Sequence, residues 1–263
     1  MSRQNAPMIT LTSDFGLKDY FVGVLKGVLF QSKASRVLDI THLVEKHDVA
    51  SGAFILREIS NYFAPGTIHL AIIDPGVGTM RRKLIAKYAN QFFVAPDNGL
   101  ISYFLKSETC EVFEVKEGPL LQFKKSPTFA GRDHFAPIAA SLANGHSPEE
   151  LGEKISDALC IEALFPSKEE GRMMGKIVYF DHFGNAITNL NHEVLGDKLL
   201  DPDSFCLDFT DKKLQGIKKN YRAGGEGEPS ILMNSSGFLE IFVCCASARK
   251  ILNLNLMDDV LIH

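Results

Sequence analysis

The five cysteines, Cys110, Cys160, Cys206, Cys244 and Cys245, contain no CxxC spacing and leave an odd count. That argues against a zinc site and a disulfide framework, and it suits a reducing, cytoplasmic setting. Excess positive charge is also lacking: the formal net charge is -4, so the basic footprint expected of a nucleic-acid partner is missing. No apolar run approaches a membrane span, so no membrane association is expected. Residues 1–7 have no apolar core of the kind a signal peptide needs. There is no low-complexity segment and no repeat. What is present is an ordinary globular composition, 45% hydrophobic and 23% charged over 263 residues. That is enough chain for one large or two smaller domains with ample core.

The most informative stretch runs from Ile72 to Arg82. An apolar strand pattern over 67–73 stops at Asp74-Pro75, and Gly76 and Gly78 then allow a close-approach loop before Arg81-Arg82. An acidic residue at the carboxyl end of a buried strand, followed by a glycine loop and a cation, is a usual place for chemistry in α/β folds. A strand-ending turn with a surface Arg-Arg pair is the plainer alternative.

Periodicity predicts strands over 8–12, 37–40, 84–88, 91–94 and 112–115, and helices over 20–32 and 47–62. A glycine loop then leads into a helix within 128–144, where Pro137 fits only in the first turn. This alternation predicts an N-terminal α/β domain, 1–166, with a largely parallel sheet. Residues 167–171 read as a linker. The pattern then becomes strand-rich, at 175–180, 186–190, 205–209, 231–234, 238–243 and 260–262. One helix is expected at 246–252 and a flexible surface loop at 222–229. The second domain, 172–263, is therefore expected to be smaller, all-β and barrel-like.

Asp14 ends the first strand as Asp74 ends a later one, and strand ends on one edge of a parallel sheet converge. Two carboxylates there can hydrogen-bond a ribose diol or orient a water; Asp14 serves a turn or helix N-cap equally well. Gly131-Arg132-Asp133-His134 can receive a polar ligand at a helix start or pair with itself. His42, His47, His69 and His182 are scattered and read as structural. Cys244-Cys245, after an alternating strand, reads as core.

Seven motifs occur in order: Leu11-Thr12-Ser13-Asp14-Phe15-Gly16, Asp39-Ile40-Thr41-His42, Ile73-Asp74-Pro75-Gly76-Val77-Gly78-Thr79, Pro96-Asp97-Asn98-Gly99-Leu100, Gly131-Arg132-Asp133, Phe183-Gly184-Asn185 and the run from Ser235 to Ile241. Together they resemble the S-adenosyl-L-methionine (SAM) hydroxide adenosyltransferases, the SAM hydrolases that form adenosine, which are related to fluorinases and chlorinases. The resemblance spans nearly the whole chain. It implies hydrolysis of SAM to adenosine and L-methionine by attack of water or hydroxide on ribose C5′. It also implies no metal, no further cofactor, and a homotrimer whose SAM or adenosine site lies between the N-terminal domain of one subunit and the C-terminal domain of its neighbour.

The resemblance implies an Asp, Arg and His catalytic set. Asp74 and Arg81 match the first two. Ala130 stands where the histidine is expected, and His134, about one helical turn on, is the candidate replacement. Asp14 matches the residue on the ribose hydroxyls, and Asn185 the one on the adenine edge, where an amide both donates and accepts. Asp181 matches a carboxylate near the methionine ammonium and Ser235 a contact to the amino-acid end; Glu240 lies in the family's Leu-Glu-Ile run. Cys244-Cys245-Ala246 replaces a more polar, glycine-containing stretch that approaches adenine through its backbone. Retention of Asp74 argues for water over halide, since an anion there repels a halide. The loss at Ala130 leaves open a catalytically silent SAM- or adenosine-binding protein.

Overall fold

The computed structural model describes residues 7–34, 36–122, 127–169, 172–209 and 212–262. The polar start at 1–6 and the end of the expected linker, residues 170 and 171, lie outside the described residues. The chain divides into two compact units, Met1–Ile161 and Glu162–His263.

The first unit runs β1 (Met8–Ser13), α1 (Phe21–Leu29), β2 (Arg36–Thr41), α2 (Val49–Ser60), β3 (Ile68–Ile72), β4 (Lys83–Tyr88), β5 (Gln91–Pro96), α3 (Ser102–Leu105), β6 (Glu111–Val115), α4 (Ala136–Ala143), α5 (Pro148–Leu151) and β7 (Gly152–Ile155). Its seven strands are ordered β2-β1-β3-β5-β4-β6-β7. The first four are mutually parallel, and the pairs β5-β4, β4-β6 and β6-β7 are antiparallel. Five strands thus share one direction. Strand β3 is buried along its whole length, as expected of a central strand covered on both faces. Its alternation divides the core. Leu70 and Ile72 pack with Leu25 and Phe135 on one side, while Ala71 and Ile73 pack with Leu56 and Phe104 on the other.

Both long helices are shorter than the periodicity predicts. Helix α2 begins at Val49 because Asp48 caps it, accepting the Ser51 N–H at 2.9 Å. A turn of π-helix, Gly131–Phe135, precedes α4, and Pro137 sits in the first turn of α4.

The second unit runs β8 (Ser167–Glu169), β9 (Arg172–Phe180), β10 (Ala186–Asn191), α6 (His192–Leu195), β11 (Cys206–Phe209), β12 (Lys212–Gln215), β13 (Ile217–Lys218), β14 (Pro229–Met233), β15 (Phe238–Val243), α7 (Ala248–Ile251) and β16 (Asp259–Ile262). The sheet order is β12-β11-β16-β9-β10-β15-β14-β13, with β8 added against β9. It curls until β12 meets β14, giving a nearly closed, barrel-like sheet. Leu239, Ile241 and Val243 of β15 face the barrel core, so the alternate residue, Glu240, faces the other way.

Two expectations are corrected here. Ser167–Glu169 is not linker, because it pairs antiparallel with β9. The loop 222–229 lies at the surface as expected, but it is not structureless: Tyr221–Gly224 forms a 3-10 turn whose cap Asn220 accepts the Ala223 N–H at 3.1 Å. Gly224 there is buried against Phe242.

Candidate active site

In the first unit the site grows from the end of β3. Asn98 donates its side-chain amide to the Ile73 carbonyl at 2.8 Å, which tethers the strand end. The chain then turns tightly: the Val77 N–H meets the Asp74 carbonyl at 3.2 Å and the Thr79 N–H meets that of Gly76 at 3.1 Å. Gly78 has φ +83°, and a Cβ there lies 2.7 Å from the Pro127 carbonyl oxygen, so only glycine fits this corner. The turn brings Arg81 back onto Asp74, with Arg81 Nη2 donating to Asp74 Oδ2. Both side chains are nearly enclosed, 10% and 5% exposed. The surface-pair reading holds only for Arg82, which reaches outward to Asp97 and Asp157.

Burial pushes the Asp74 carboxyl above its ordinary range. The Arg81 guanidinium pulls it down without cancelling the burial, and the charge of Asp14 adds to the upward shift. Asp74 Oδ1 is buried with no hydrogen-bond partner among the described residues. Arg81 also lies over the Phe135 ring, 5.6 Å from its centroid.

Asp14 and Asp74 line the same small cavity, about 110 Å³, walled by Phe15, Phe21 and Phe129. The three rings pack edge to face, with centroids 5.2–6.1 Å apart. Asp14 is half-buried and accepts the backbone N–H of His47 at 3.0 Å. Ala130 contributes a methyl wall to this cavity. His134 lines a second, larger cleft, about 750 Å³, together with Arg81 and Ala130. The structure thus brings Asp14, Asp74 and Arg81 together, and it places His134 with Arg81 and Ala130 on the larger cleft. Arg132 and Asp133 pair with each other through two hydrogen bonds of 2.7 Å.

In the second unit a cavity of about 620 Å³ is lined by Asp181, Asn185, Tyr221 and the stretch from Val243 to Ser247. Asp181 Oδ1 accepts the backbone N–H groups of Phe183 and Asn185, at 3.0 and 2.8 Å, and Oδ2 accepts the Asn185 side-chain amide at 2.8 Å. Its carboxylate therefore holds Asn185 in place. Gly184 has φ +85°, and a Cβ there lies 2.1 Å from Ser247 Oγ. Glu240 is buried and engaged from both sides, accepting from Tyr221 Oη at 2.9 Å and Asn234 Nδ2 at 3.2 Å. Burial raises its carboxyl, partly offset by those two donors. Ser235 is exposed in the turn between β14 and β15 and does not line this cavity.

Tyr221 is the cavity residue missed in the sequence, where it follows a Lys-Lys-Asn run and reads as surface. Cys244 and Cys245 are corrected: Cys244 is partly buried, Cys245 is exposed, and both face the cavity instead of the core. Among the described residues no group of three His, Cys, Asp or Glu is arranged to hold a metal ion, and no helix is long and apolar enough to cross a membrane.

An α/β unit with paired carboxylates at its strand ends, and a β-barrel-like unit with an amide-lined cavity, suit a small polar ligand. The chain belongs to the SAM hydroxide adenosyltransferase family. The family's N-terminal domain matches residues 9–152 and its C-terminal domain residues 175–261. A (R)-S-adenosyl-L-methionine hydrolase of Thermus thermophilus is 34% identical, covering 92% of this chain and 94% of its own. One of Methanocaldococcus jannaschii is 30% identical over 96% and 94%. Fluorinases are more distant, that of Actinopolyspora mzabensis being 25% identical. The crystal structure of an uncharacterised conserved protein from Thermotoga maritima superposes with a TM-score of 0.85 at 32% identity, covering 97% of this chain and 99% of that one.

Proposed function

We propose that this chain hydrolyses S-adenosyl-L-methionine to adenosine and L-methionine. The observation that carries the reading is Asp74: a buried carboxyl, anchored through one oxygen by Arg81, with the other oxygen buried and without a hydrogen-bond partner among the described residues, on a side chain that shares its cavity with Asp14. The curated relatives named (R)-S-adenosyl-L-methionine hydrolase support the substrate.

Water attacks C5′ in line with the C5′–S bond. The new C–O bond forms as the C–S pair returns to sulfur, and methionine leaves as a neutral thioether, so no general acid is required. Asp74 Oδ1 accepts a hydrogen bond from the attacking water and takes its proton. Arg81 keeps Asp74 ionised and oriented, and the aromatic wall limits competing water. Asp14 holds the ribose hydroxyls. Asn185, fixed by Asp181, reads the adenine edge, with Tyr221 alongside. Ser235 and the Glu240 network serve the amino-acid end. The site is completed between subunits of a homotrimer, and no metal or cofactor takes part. His134, on the cleft it shares with Arg81, serves the path by which the proton leaves.

The test is incubation of the purified protein with SAM, without halide, with adenosine and methionine followed by chromatography. Both products accumulate in equal amounts, and Asp74→Ala lowers the rate by at least about 100-fold. His134→Ala separates two arrangements: a comparable loss assigns it to the proton path, and retained rate leaves water activation to Asp74 and Arg81. The methyl wall at Ala130 favours one other reading, a silent binder. Binding of SAM with no product from the wild type establishes that reading and overturns the hydrolase.

A further inference from the structure

Side chains of neighbouring residues on a strand point to opposite faces. Cys244 and Cys245 do not: their sulfur atoms lie 3.8 Å apart. The cause is a turn at the end of β15. The Ala246 N–H donates to the Val243 carbonyl at 3.1 Å, and Cys245 has φ +60°. This turn puts both thiols on the wall of the C-terminal cavity, beside Asn185 and Tyr221. The remaining cysteines, Cys110, Cys160 and Cys206, are partly or fully buried, and burial pushes the Cys110 thiol up to about 11.

We propose that Cys244 and Cys245 are a reversible dithiol that closes to a vicinal disulfide by exchange with a low-molecular-weight disulfide, and that closure weakens nucleoside binding in this cavity. The second half rests on the proposed function; the first does not.

The exchange balances in two steps. The exposed Cys245 sulfur attacks one sulfur of the small disulfide, whose S–S bond breaks and releases one thiol. Cys244 then attacks the Cys245 sulfur and expels the second thiol. The protein dithiol is oxidised, the small disulfide is reduced, and both thiol protons end on the released thiols. Cys245 attacks first because it is the more open sulfur. Cys244 resolves because its sulfur already lies 3.8 Å from that of Cys245; the hydrogen bond between the two thiols holds the Cys244 proton above its ordinary range, which slows this second attack without changing its direction.

Two physical points make the bond a switch and not a staple. Neighbouring Cα atoms are about 3.8 Å apart across a trans peptide, below the range of about 4.4–6.8 Å that disulfides prefer. The ring is therefore strained, and strained, exposed disulfides are readily reduced. Closure also brings the sulfurs to about 2.0 Å, which twists the peptide between the two cysteines. The carbonyl of that peptide accepts the Gly227 N–H at 3.4 Å, and Cys244 bridges to Glu226. The cavity wall and the 226–227 segment therefore shift together.

The experiment uses the full chain, reduced and then exposed to excess oxidised glutathione. Peptide masses are mapped after alkylation, and adenosine affinity is measured by calorimetry before oxidation, after it, and after dithiothreitol. The peptide carrying both cysteines is expected to lose two hydrogen atoms without gaining glutathione. The Kd for adenosine is expected to rise at least about tenfold and to return on reduction. Cys244→Ser and Cys245→Ser, each compared with itself, show no such reversible rise, and Cys244→Ser retains glutathione on Cys245. A lasting glutathione adduct on wild-type Cys245, no reaction at either sulfur, or a closed ring with unchanged Kd overturns the proposal. If the reduced protein does not bind adenosine, the functional reading fails instead, and the masses alone decide the dithiol.

Discussion

At position 74 four influences meet on one carboxyl group: burial, a guanidinium, a second carboxylate and the backbone N–H of Gly76. Burial is the largest and raises the carboxyl above its usual 3.8, while Arg81 pulls it back. On the proposed function Asp74 acts as a base, so the rate is present when it is ionised and falls as pH drops through the raised value. Removing Arg81 deletes the downward pull. Arg81→Met is therefore expected to move the acid limb of kcat/KM to higher pH while also lowering the plateau; an acid limb that stays put or moves lower contradicts the assignment. Asp14 and Asp74 were legible in the sequence because each follows an apolar strand and strand ends converge. Tyr221 was not, because its hydroxyl meets Glu240 across 19 positions and no local pattern marks such a meeting. The same is true of the place of His134, which sits within the π turn of Gly131–Phe135.

Strand β3 does more than deliver Asp74. His69 at its centre is fully buried, stacked on Phe93, and bonded to Thr10 Oγ1 at 2.8 Å and Gln91 Oε1 at 2.9 Å. Burial lowers its pKa from 6.5 to about 4, so the folded state holds it neutral. The unfolded chain binds the proton more readily between those values. Stability from this group is therefore complete above pH 6.5 and is lost as pH falls towards 4, by up to about 3 kcal/mol. Urea unfolding at pH 7 and pH 4.5 checks this: His69→Leu is less stable at pH 7 yet loses less between the two pH values than wild type does. An unchanged pH difference rules the linkage out.

Most strands were legible at this scale, since buried runs and alternation follow directly from residue type. Helix lengths were overestimated because apolar spacing continues past the caps, as at Tyr62 beyond the Asn61 cap of α2. The 222–229 stretch looked flexible from its glycines, yet its order comes from Gly224 packing on Phe242, a tertiary effect.

Across the whole molecule, the polar groups assigned to one ligand are divided between two compact units. Asp14, Asp74 and Arg81 belong to the first, and Asp181, Asn185 and Tyr221 to the second. The proposed homotrimer predicts a particle of three chain masses in analytical ultracentrifugation; a monomer at micromolar concentration contradicts it. Composition already pointed away from a nucleic-acid partner and from a long apolar span, and the change from helix–strand alternation to a strand-rich pattern marked the change of architecture. The proposed assembly has no comparable mark, because a residue that would serve a neighbouring chain resembles any exposed residue. The central claim is that water attacks C5′ of SAM, and it is tested most directly by running the reaction in heavy-oxygen water. The account predicts adenosine carrying the heavy oxygen at its 5′-hydroxyl and methionine without it. Adenosine without the label, or no adenosine from a protein that binds SAM, contradicts it.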